Sequence, residues 1–268
     1  MTLFGFIGVG NMGYPLLMAA AKTFGNKNVL YTDASEQRRK DVMKDTGIPF
    51  TEDNISVVKQ CKYLVLAVKP QYFTEVLSQI KQYVTTEQIV ISIAAGITID
   101  TIKEGLSTSV RIVRAMPNTP AMVSQGMTGI CFSNASFAEE EKDIIDRFFR
   151  SFGKYEVFEE HLMNAVVCAN GSSPAYVYMF IEALADSVVN YGIPRDKAYT
   201  LVAQTVLGAA TMVLETKEHP GKLKDNVCSP GGTTIAAVKA LEEYGLRNAL
   251  MKATDACYEK AVELSNKK

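Results

Sequence analysis

The sequence predicts an α/β domain on a parallel sheet, followed by an all-helical domain. Short apolar runs rich in β-branched residues alternate with amphipathic stretches through the first half. A glycine-rich turn, Gly8-Val9-Gly10-Asn11-Met12-Gly13, comes directly behind the first of these runs. From about His161 strand-like runs stop and helical periodicity takes over. The division therefore falls into residues 1–160 and 161–268.

Strands are expected at Phe4–Val9, Val29–Thr32, Tyr63–Val68, Ile89–Ile93 and Arg111–Ala115. Helical patterns lie between them, with Val42 following Ser35-Glu36-Gln37-Arg38, and Val76, Ile80 and Val84 recurring on one face. Strands apolar throughout and alternating with helices indicate a parallel sheet covered on both faces. In such sheets ligands bind beyond the carboxyl ends of the strands. Those ends are Gly8–Gly13, Asp33, Ala67-Val68-Lys69-Pro70, Ala94-Ala95-Gly96 and Met116-Pro117-Asn118. The G-x-G-x-x-G turn follows a strand, opens a helix and has Asp33 twenty positions after Gly13. In this context Gly8 makes the turn, Gly10 lets a pyrophosphate approach and Gly13 lets helix and strand pack, so the domain reads as a Rossmann-type dinucleotide site. Asp33 either accepts hydrogen bonds from ribose hydroxyls, the favoured reading, or is a solvated loop carboxylate.

In the second half, Ser173-Pro174 starts a helix with a serine cap and proline at its first position, and Val177, Phe180, Ile181, Leu184 and Val188 line one face. Gly192 and Pro194 end it, and further helices are expected over Arg195 to Glu215, after Thr234 and over Leu246 to Ser265. Much of this half is apolar or small on more than one face, as in Gly208-Ala209-Ala210, which points to packing against a second subunit. Ser229-Pro230-Gly231-Gly232-Thr233-Thr234 precedes one of these helices. It is either a capped helix start or, with two glycines and two threonines, a site for a substrate anion. Lys222 and Asn226, four apart, could share a helix face as proton donor and orienting partner, or be solvated. Glu159 and Glu160 read as helix-start charges.

The chain has 28 Lys and Arg against 29 Asp and Glu, a net charge of −1, which gives no electrostatic reason to expect nucleic acid or an anionic membrane as partner. The first strand begins within a few residues of Met1, leaving no room for a signal peptide, and the longest apolar run, around Ile89 to Ile97, contains Ser92 and Gly96, so no membrane-spanning segment is expected. Five scattered cysteines without a C-x-x-C pair argue against a disulfide framework and for a reducing cytoplasm. Cys228, beside the second glycine loop, reads as an ordinary thiol. Only two histidines, unclustered, give no support to a metal site.

Several segments together resemble pyrroline-5-carboxylate reductases: Gly8–Gly13, Ala67–Pro70, Ser92-Ile93-Ala94-Ala95-Gly96, Arg114-Ala115-Met116-Pro117-Asn118-Thr119-Pro120, Gly171-Ser172-Ser173-Pro174-Ala175-Tyr176, and His219-Pro220-Gly221 through Thr234. The resemblance runs nearly the whole length and in order. It implies a Rossmann-type domain followed by an all-helical dimerisation and substrate domain, assembled as a homodimer and often as higher arrays of dimers. It also implies NAD(P)H-dependent reduction of the cyclic imine to L-proline, the last step of proline synthesis. Carried over residue by residue, Gly8, Val9, Gly10, Asn11, Met12, Gly13, Asn54, Ala67, Val68, Lys69, Pro70, Ala94, Ala95 and Gly96 match cofactor positions, and Asn226 a position near the nicotinamide. Glu160, Gly232, Thr233 and Thr234 match the substrate side. Thr234 is the candidate catalytic residue, positioning the ring nitrogen and at most relaying a proton from water. One departure is Asp33-Ala34, where many relatives carry a pair suited to a 2′-phosphate; it favours NADH where the family expectation is NADPH. The alternatives are a β-hydroxyacid dehydrogenase-like reductase using Lys222 and Asn226, or a non-enzymatic nucleotide sensor.

Overall fold

The computed structural model describes residues 1–106 and 109–266. Backbone contacts divide the chain into two compact units: Met1–Ser172 together with the stretch from Cys257 onward, and Ser173–Ala256. The first unit runs β1 (Thr2–Ile7), α1 (Gly13–Phe24), β2 (Val29–Thr32), α2 (Glu36–Thr46), α3 (Asn54–Gln60), β3 (Cys61–Leu66), α4 (Phe73–Ile80), β4 (Ile89–Ser92), α5 (Ile99–Gly105), β5 (Arg111–Met116), β6 (Gly126–Phe132), α6 (Glu139–Arg150), β7 (Gly153–Val157) and α7 (Met163–Val166). The strands form one sheet in the order β2-β1-β3-β4-β5-β6-β7.

The first five strands are parallel, as their apolar runs require, with Phe4 opposite Val29 and Tyr63, and Ile89 opposite Arg111. The sheet is not parallel throughout, because β6 runs antiparallel to β5 and β7 then pairs parallel to β6. These two strands escape the sequence reading. The seven residues of β6 include Gly126 and Gly129, and the exposed edge strand β7 (GKYEV) is only partly apolar. Gly129 serves a close approach: a β-carbon there would lie 2.3 Å from the Val166 side chain.

Alternate strand residues point to opposite faces, and each face has its own apolar layer. Phe4, Phe6, Tyr31, Tyr63, Val65 and Ile91 pack with Leu16, Leu17 and Ala20 of α1 and Ile145, Phe148 and Phe149 of α6. On the other face Ile7, Leu64, Leu66, Val90 and Ile112 meet α3, α4 and α5. Gly5 lets α3 lie close, since a β-carbon there would sit 2.5 Å from Val57. Glu141, buried on α6, accepts from the Ala138 N–H at 3.0 Å and pairs with Lys62 at 3.0 Å and with Arg111. Burial opposes its charge, but the Lys62 hydrogen bond, the Ala138 N–H and the Arg111 guanidinium outweigh it and hold the carboxyl below its ordinary value. Met163 and Val166 are buried in the second apolar layer, so the helical region beginning near Glu160 still belongs to the sheet unit as far as Ser172. Between α7 and the next helix lies a wide π-turn, Val167–Gly171, closed by the Ser172 N–H donating to Val167 O at 2.9 Å.

The second unit comprises α8 (Ser173–Val189), α9 (Arg195–Thr216), α10 (Pro220–Val227), α11 (Thr233–Glu243) and the first part of α12 (Leu246–Asn266). Four of these are the helices the periodicity predicts. The additional α10 starts with Pro-Gly, which reads as a turn, and is held by His219, whose Nδ1 accepts from the Gly221 N–H at 3.0 Å. The buried apolar cluster of this unit is small, with Ala185, Ala198 and Val202 at its centre and Ile181, Val188 and Val206 against it. Val177, Phe180 and Leu184, expected on the same packed face of α8, are instead 39–45% exposed. α9 is long and apolar enough by length and composition to cross a membrane, with mean hydropathy 1.2 over its window. The sequence expectation of no such segment is corrected: the small residues of α9 carry no charge, so they interrupt its apolar character without lowering the average far.

Candidate cofactor and substrate sites

Parallel pairing of β2, β1, β3 and β4 sets their carboxyl ends side by side. Three ladder bonds continue beyond the strands: Gly8 N–H to Thr32 O at 2.9 Å, Ala67 N–H to Ile7 O at 2.9 Å, and Ile93 N–H to Leu66 O at 3.2 Å. They bring the loops Gly8–Gly13, Asp33, Ala67–Pro70 and Ala94–Gly96 to one edge, where the chain passes from β2 on one side of β1 to β3 on the other. A crevice at such a reversal of strand order is where dinucleotides bind. Asn54 reaches the same edge because Phe50 bridges Tyr31 in parallel just before α3 turns back; its side chain donates to Gln79 at 2.7 Å.

The three glycines of the first loop have different physical tasks. Gly8 sits at φ +94°, and a β-carbon there would lie 2.7 Å from Ala67 O. At Gly13 it would lie 2.2 Å from Gly8 O, so helix and strand could not close up. At Gly10 it would meet nothing within 4 Å. Gly10 therefore serves no contact inside the chain. It borders a cavity of about 670 Å³, lined also by Asn11, Tyr14, Met18, Lys22 and Arg38. The start of α1 has neither a side-chain cap nor an acidic residue in its first turn, which leaves its N–H groups and dipole for an anion. A dinucleotide pyrophosphate fits this cradle in both shape and charge.

Asp33 is more than a solvated carboxylate. Its Oδ2 accepts from the Val9 N–H at 2.9 Å and its Oδ1 from the Ser35 N–H at 3.0 Å, so it is fixed beside the glycine loop. Arg38 grips the same loop residue from the other side, Nε donating to Val9 O at 2.9 Å with the guanidinium 4.8 Å above the Tyr14 ring. Arg39 turns away to the Asp33 carbonyl at 2.5 Å and Glu52 at 2.7 Å.

Glu160 does not merely begin a helix. Its Oε1 accepts from the Ile99 N–H at 2.7 Å and from Arg114 at 3.0 Å, bracing the start of α5 just after Ala94–Gly96. Two residues that sequence reasoning did not single out close the neighbouring wall. Asn118 donates to Asn170 O at 3.1 Å and accepts from the Met127 N–H at 2.9 Å, while the Asn170 amide donates to Met116 O and Met127 O at 2.8 Å each. The signal lay in the Met116-Pro117-Asn118 strand end, where a proline-fixed turn leaves an amide side chain to tie β5 to β6.

The remaining candidates lie in the second unit. Asn226 is exposed near the end of α10, one turn after Lys222. Gly231, at φ +66°, turns the chain into α11, and Gly232 is its N-cap without a side-chain cap. The Gly232 N–H already donates to Ser229 O at 3.1 Å. Thr233 and Thr234 occupy the first two helical positions, whose N–H groups have no acceptor within the helix. An anion at this loop is thus offered the threonine N–H groups and hydroxyls, with Gly232 keeping the approach open.

Comparison with known proteins agrees with this division. Residues 160–264 match the family described as "Pyrroline-5-carboxylate reductase dimerisation", and residues 3–96 match "NADP oxidoreductase coenzyme F420-dependent". The chain is 45% identical to the pyrroline-5-carboxylate reductase of Escherichia coli K12, over 97% of each, and 43% identical to that of Methanosarcina acetivorans, over 98% of each. Among solved structures it resembles the Plasmodium falciparum pyrroline carboxylate reductase with NADP bound (TM-score 0.89, 31% identity, 99% of this chain and 98% of that one). It also resembles the Coxiella burnetii pyrroline-5-carboxylate reductase (TM-score 0.90, 34% identity, 99% of each). With a Rossmann-type sheet, an anion-ready glycine loop in each unit and identity of this extent along its whole length, the chain belongs to the pyrroline-5-carboxylate reductase family.

Proposed function

We propose that this chain reduces 1-pyrroline-5-carboxylate to L-proline, the last step of proline synthesis, with NADH or NADPH. The observation that carries the reading is the uncapped, glycine-opened start of α11 inside the segment matching the family's dimerisation region. The nicotinamide nucleotide supplies the hydride when bound. Gly8, Val9, Gly10, Asn11, Met12 and Gly13 would cradle its pyrophosphate, Asp33 its ribose, and Asn54, Ala67–Pro70, Ala94–Gly96 and Asn226 its remainder.

The reaction asks little acid–base chemistry of the side chains, because a protonated cyclic imine already accepts hydride readily and the cofactor carries the difficult step. The residues of the chain convert binding into orientation. The N–H groups of Thr233 and Thr234 and the Thr233 hydroxyl grip the substrate carboxylate, Gly232 leaves it room, and Thr234 Oγ holds the ring nitrogen. Glu160, with Oε1 committed to Ile99 and Arg114, faces the substrate through Oε2. A threonine hydroxyl is too weak an acid to be a strong proton donor, so Thr234 positions and relays.

Three finer assignments belong to the same proposal. Asp33, fixed beside the loop, favours NADH, because a 2′-phosphate would meet it as a like charge. The helical unit is the dimerisation and substrate domain, its exposed apolar side chains covered by a second copy in a homodimer that could assemble further. The cytoplasm suits its free cysteines. Steady-state assays of pyrroline-5-carboxylate with each cofactor test the whole reading. Proline formation supports it, whereas turnover of a β-hydroxyacid or β-keto acid pair in its place, or of neither substrate, overturns it.

A further inference from the structure

The π-turn and α12 meet along one face each, and both faces are polar or small. Asn164, Cys168 and Ser172 succeed one another at four-residue steps on the first, and Cys257, Ala261 and Ser265 on the second. The faces run antiparallel: Ser265 Oγ donates to Asn164 Oδ1 at 3.0 Å, and the Cys257 thiol donates to Ser172 Oγ at 3.3 Å. Cys168 lies between these two contacts, its thiol donating to Asn164 O at 3.3 Å and within hydrogen-bonding reach of Cys257. Cys168 is 4% exposed, whereas Cys257 is only half-buried. These are also the places where the chain leaves the first unit, after Ser172, and returns to it, at Cys257.

We propose that Cys168 and Cys257 form an oxidisable dithiol, a modification site that closes to an intrachain disulfide on reaction with a low-molecular-weight disulfide. Cys257, the thiol that reaches solvent, enters as thiolate and attacks one sulfur of the oxidant RSSR; a Cys257–SR bond forms and RS⁻ leaves. Cys168, deprotonated, then attacks Cys257 Sγ and expels the second RS⁻, and the two cysteine protons end on the two RSH molecules. The protein thiols are oxidised by two electrons and the oxidant is reduced by two. Burial, and then the hydrogen bond from Cys257, push the Cys168 thiol up to about 11, which makes it the resolving rather than the entering thiol. Closure encloses α8 to α11 in a covalent loop and staples α12, whose Leu264 lies against Gly96, to the turn carrying Asn170.

The test uses the full reduced chain, incubated with oxidised glutathione, then denatured and alkylated for peptide mass spectrometry. Of five cysteines, all take the label before oxidation; after it, Cys168 and Cys257 are expected linked and unlabelled, with dithiothreitol restoring them. In Cys168→Ser, oxidation is expected to stop at a glutathione adduct on Cys257, and in Cys257→Ser no linkage forms. Full labelling after oxidation overturns the proposal. So does a linkage through Cys228, a lasting adduct on Cys257 in the unmodified chain, or the absence of that adduct in Cys168→Ser.

Discussion

Gly10→Ala separates binding from folding in a way the local geometry makes quantitative. The added methyl meets no atom of the chain within 4 Å, and Gly10 does not adopt a positive φ. Alanine should therefore fit, with a stability change within about 1 kcal/mol and in the favourable direction, because the unfolded chain loses freedom. The same methyl occupies the space through which a pyrophosphate reaches the loop N–H groups. Each hydrogen bond to a charged group lost there is worth about 1.5–3 kcal/mol, so the dissociation constant for NADH should rise by about ten- to a hundredfold. Gly13→Ala is the contrast, since its methyl would lie 2.2 Å from the backbone oxygen of Gly8 and should cost at least about 1–3 kcal/mol of stability through overpacking. Fluorescence titration with NADH and a thermal melt, run on both variants, read the two effects separately. Unchanged NADH affinity in Gly10→Ala, with the fold intact, would refute the assignment of this cradle to the cofactor.

Four further outcomes are expected. Higher kcat/KM with NADH than with NADPH should reverse toward NADPH in Asp33→Ser with Ala34→Arg; equal efficiency in the unmodified enzyme would transfer the 2′-phosphate to Arg38, which already lies on the loop. Thr234→Ala should lower kcat/KM by about ten- to a hundredfold, the loss of one positioned hydrogen bond to a charged group, and 1-pyrroline, lacking the carboxylate, should react far more slowly than pyrroline-5-carboxylate. Glu141→Gln leaves Arg111 buried without its counter-charge and should cost about 3 kcal/mol. Because the folded state holds Glu141 below its ordinary value, its contribution is fully present above the ordinary glutamate range and is lost as pH falls through the lower folded value, so the melting temperatures of the two proteins should converge below about pH 4. Light scattering across a wide dilution range should find a dimer as the smallest folded species, and a compact active monomer would contradict the use assigned to the exposed face of α8.

The elements legible in the sequence are those whose residues make one choice. The five parallel strands are apolar on both faces, and α8, α9, α11 and α12 carry helical periodicity over many turns. β6 was illegible because its glycines answer to Val166 and to backbone neighbours distant in sequence. Periodicity also cannot say which apolar face a chain buries by itself: α8 has two, Ile181 and Val188 packed and Val177 and Phe180 exposed. Of the site, the glycine loop and its aspartate emerge from local spacing, since each residue acts within its own turn. Glu160, Arg38 and Asn170 were out of reach, because their roles depend on partners brought close only by the sheet.

The π-turn at Val167–Gly171 sets the angular phase of α8. One residue beyond a regular helical turn rotates every later side chain by about 100° about the helix axis. Asn164 and Cys168 are thereby uncoupled in azimuth from Ile181, Ala185 and Val188, so the two stretches can satisfy unrelated surfaces though nearly continuous in helix. Removing a single residue here would restore an unbroken helix and swing the stripe of α8 by that angle, carrying its packed residues off α9 while leaving composition and helical propensity almost unchanged. This short segment is therefore a place where length matters more than identity.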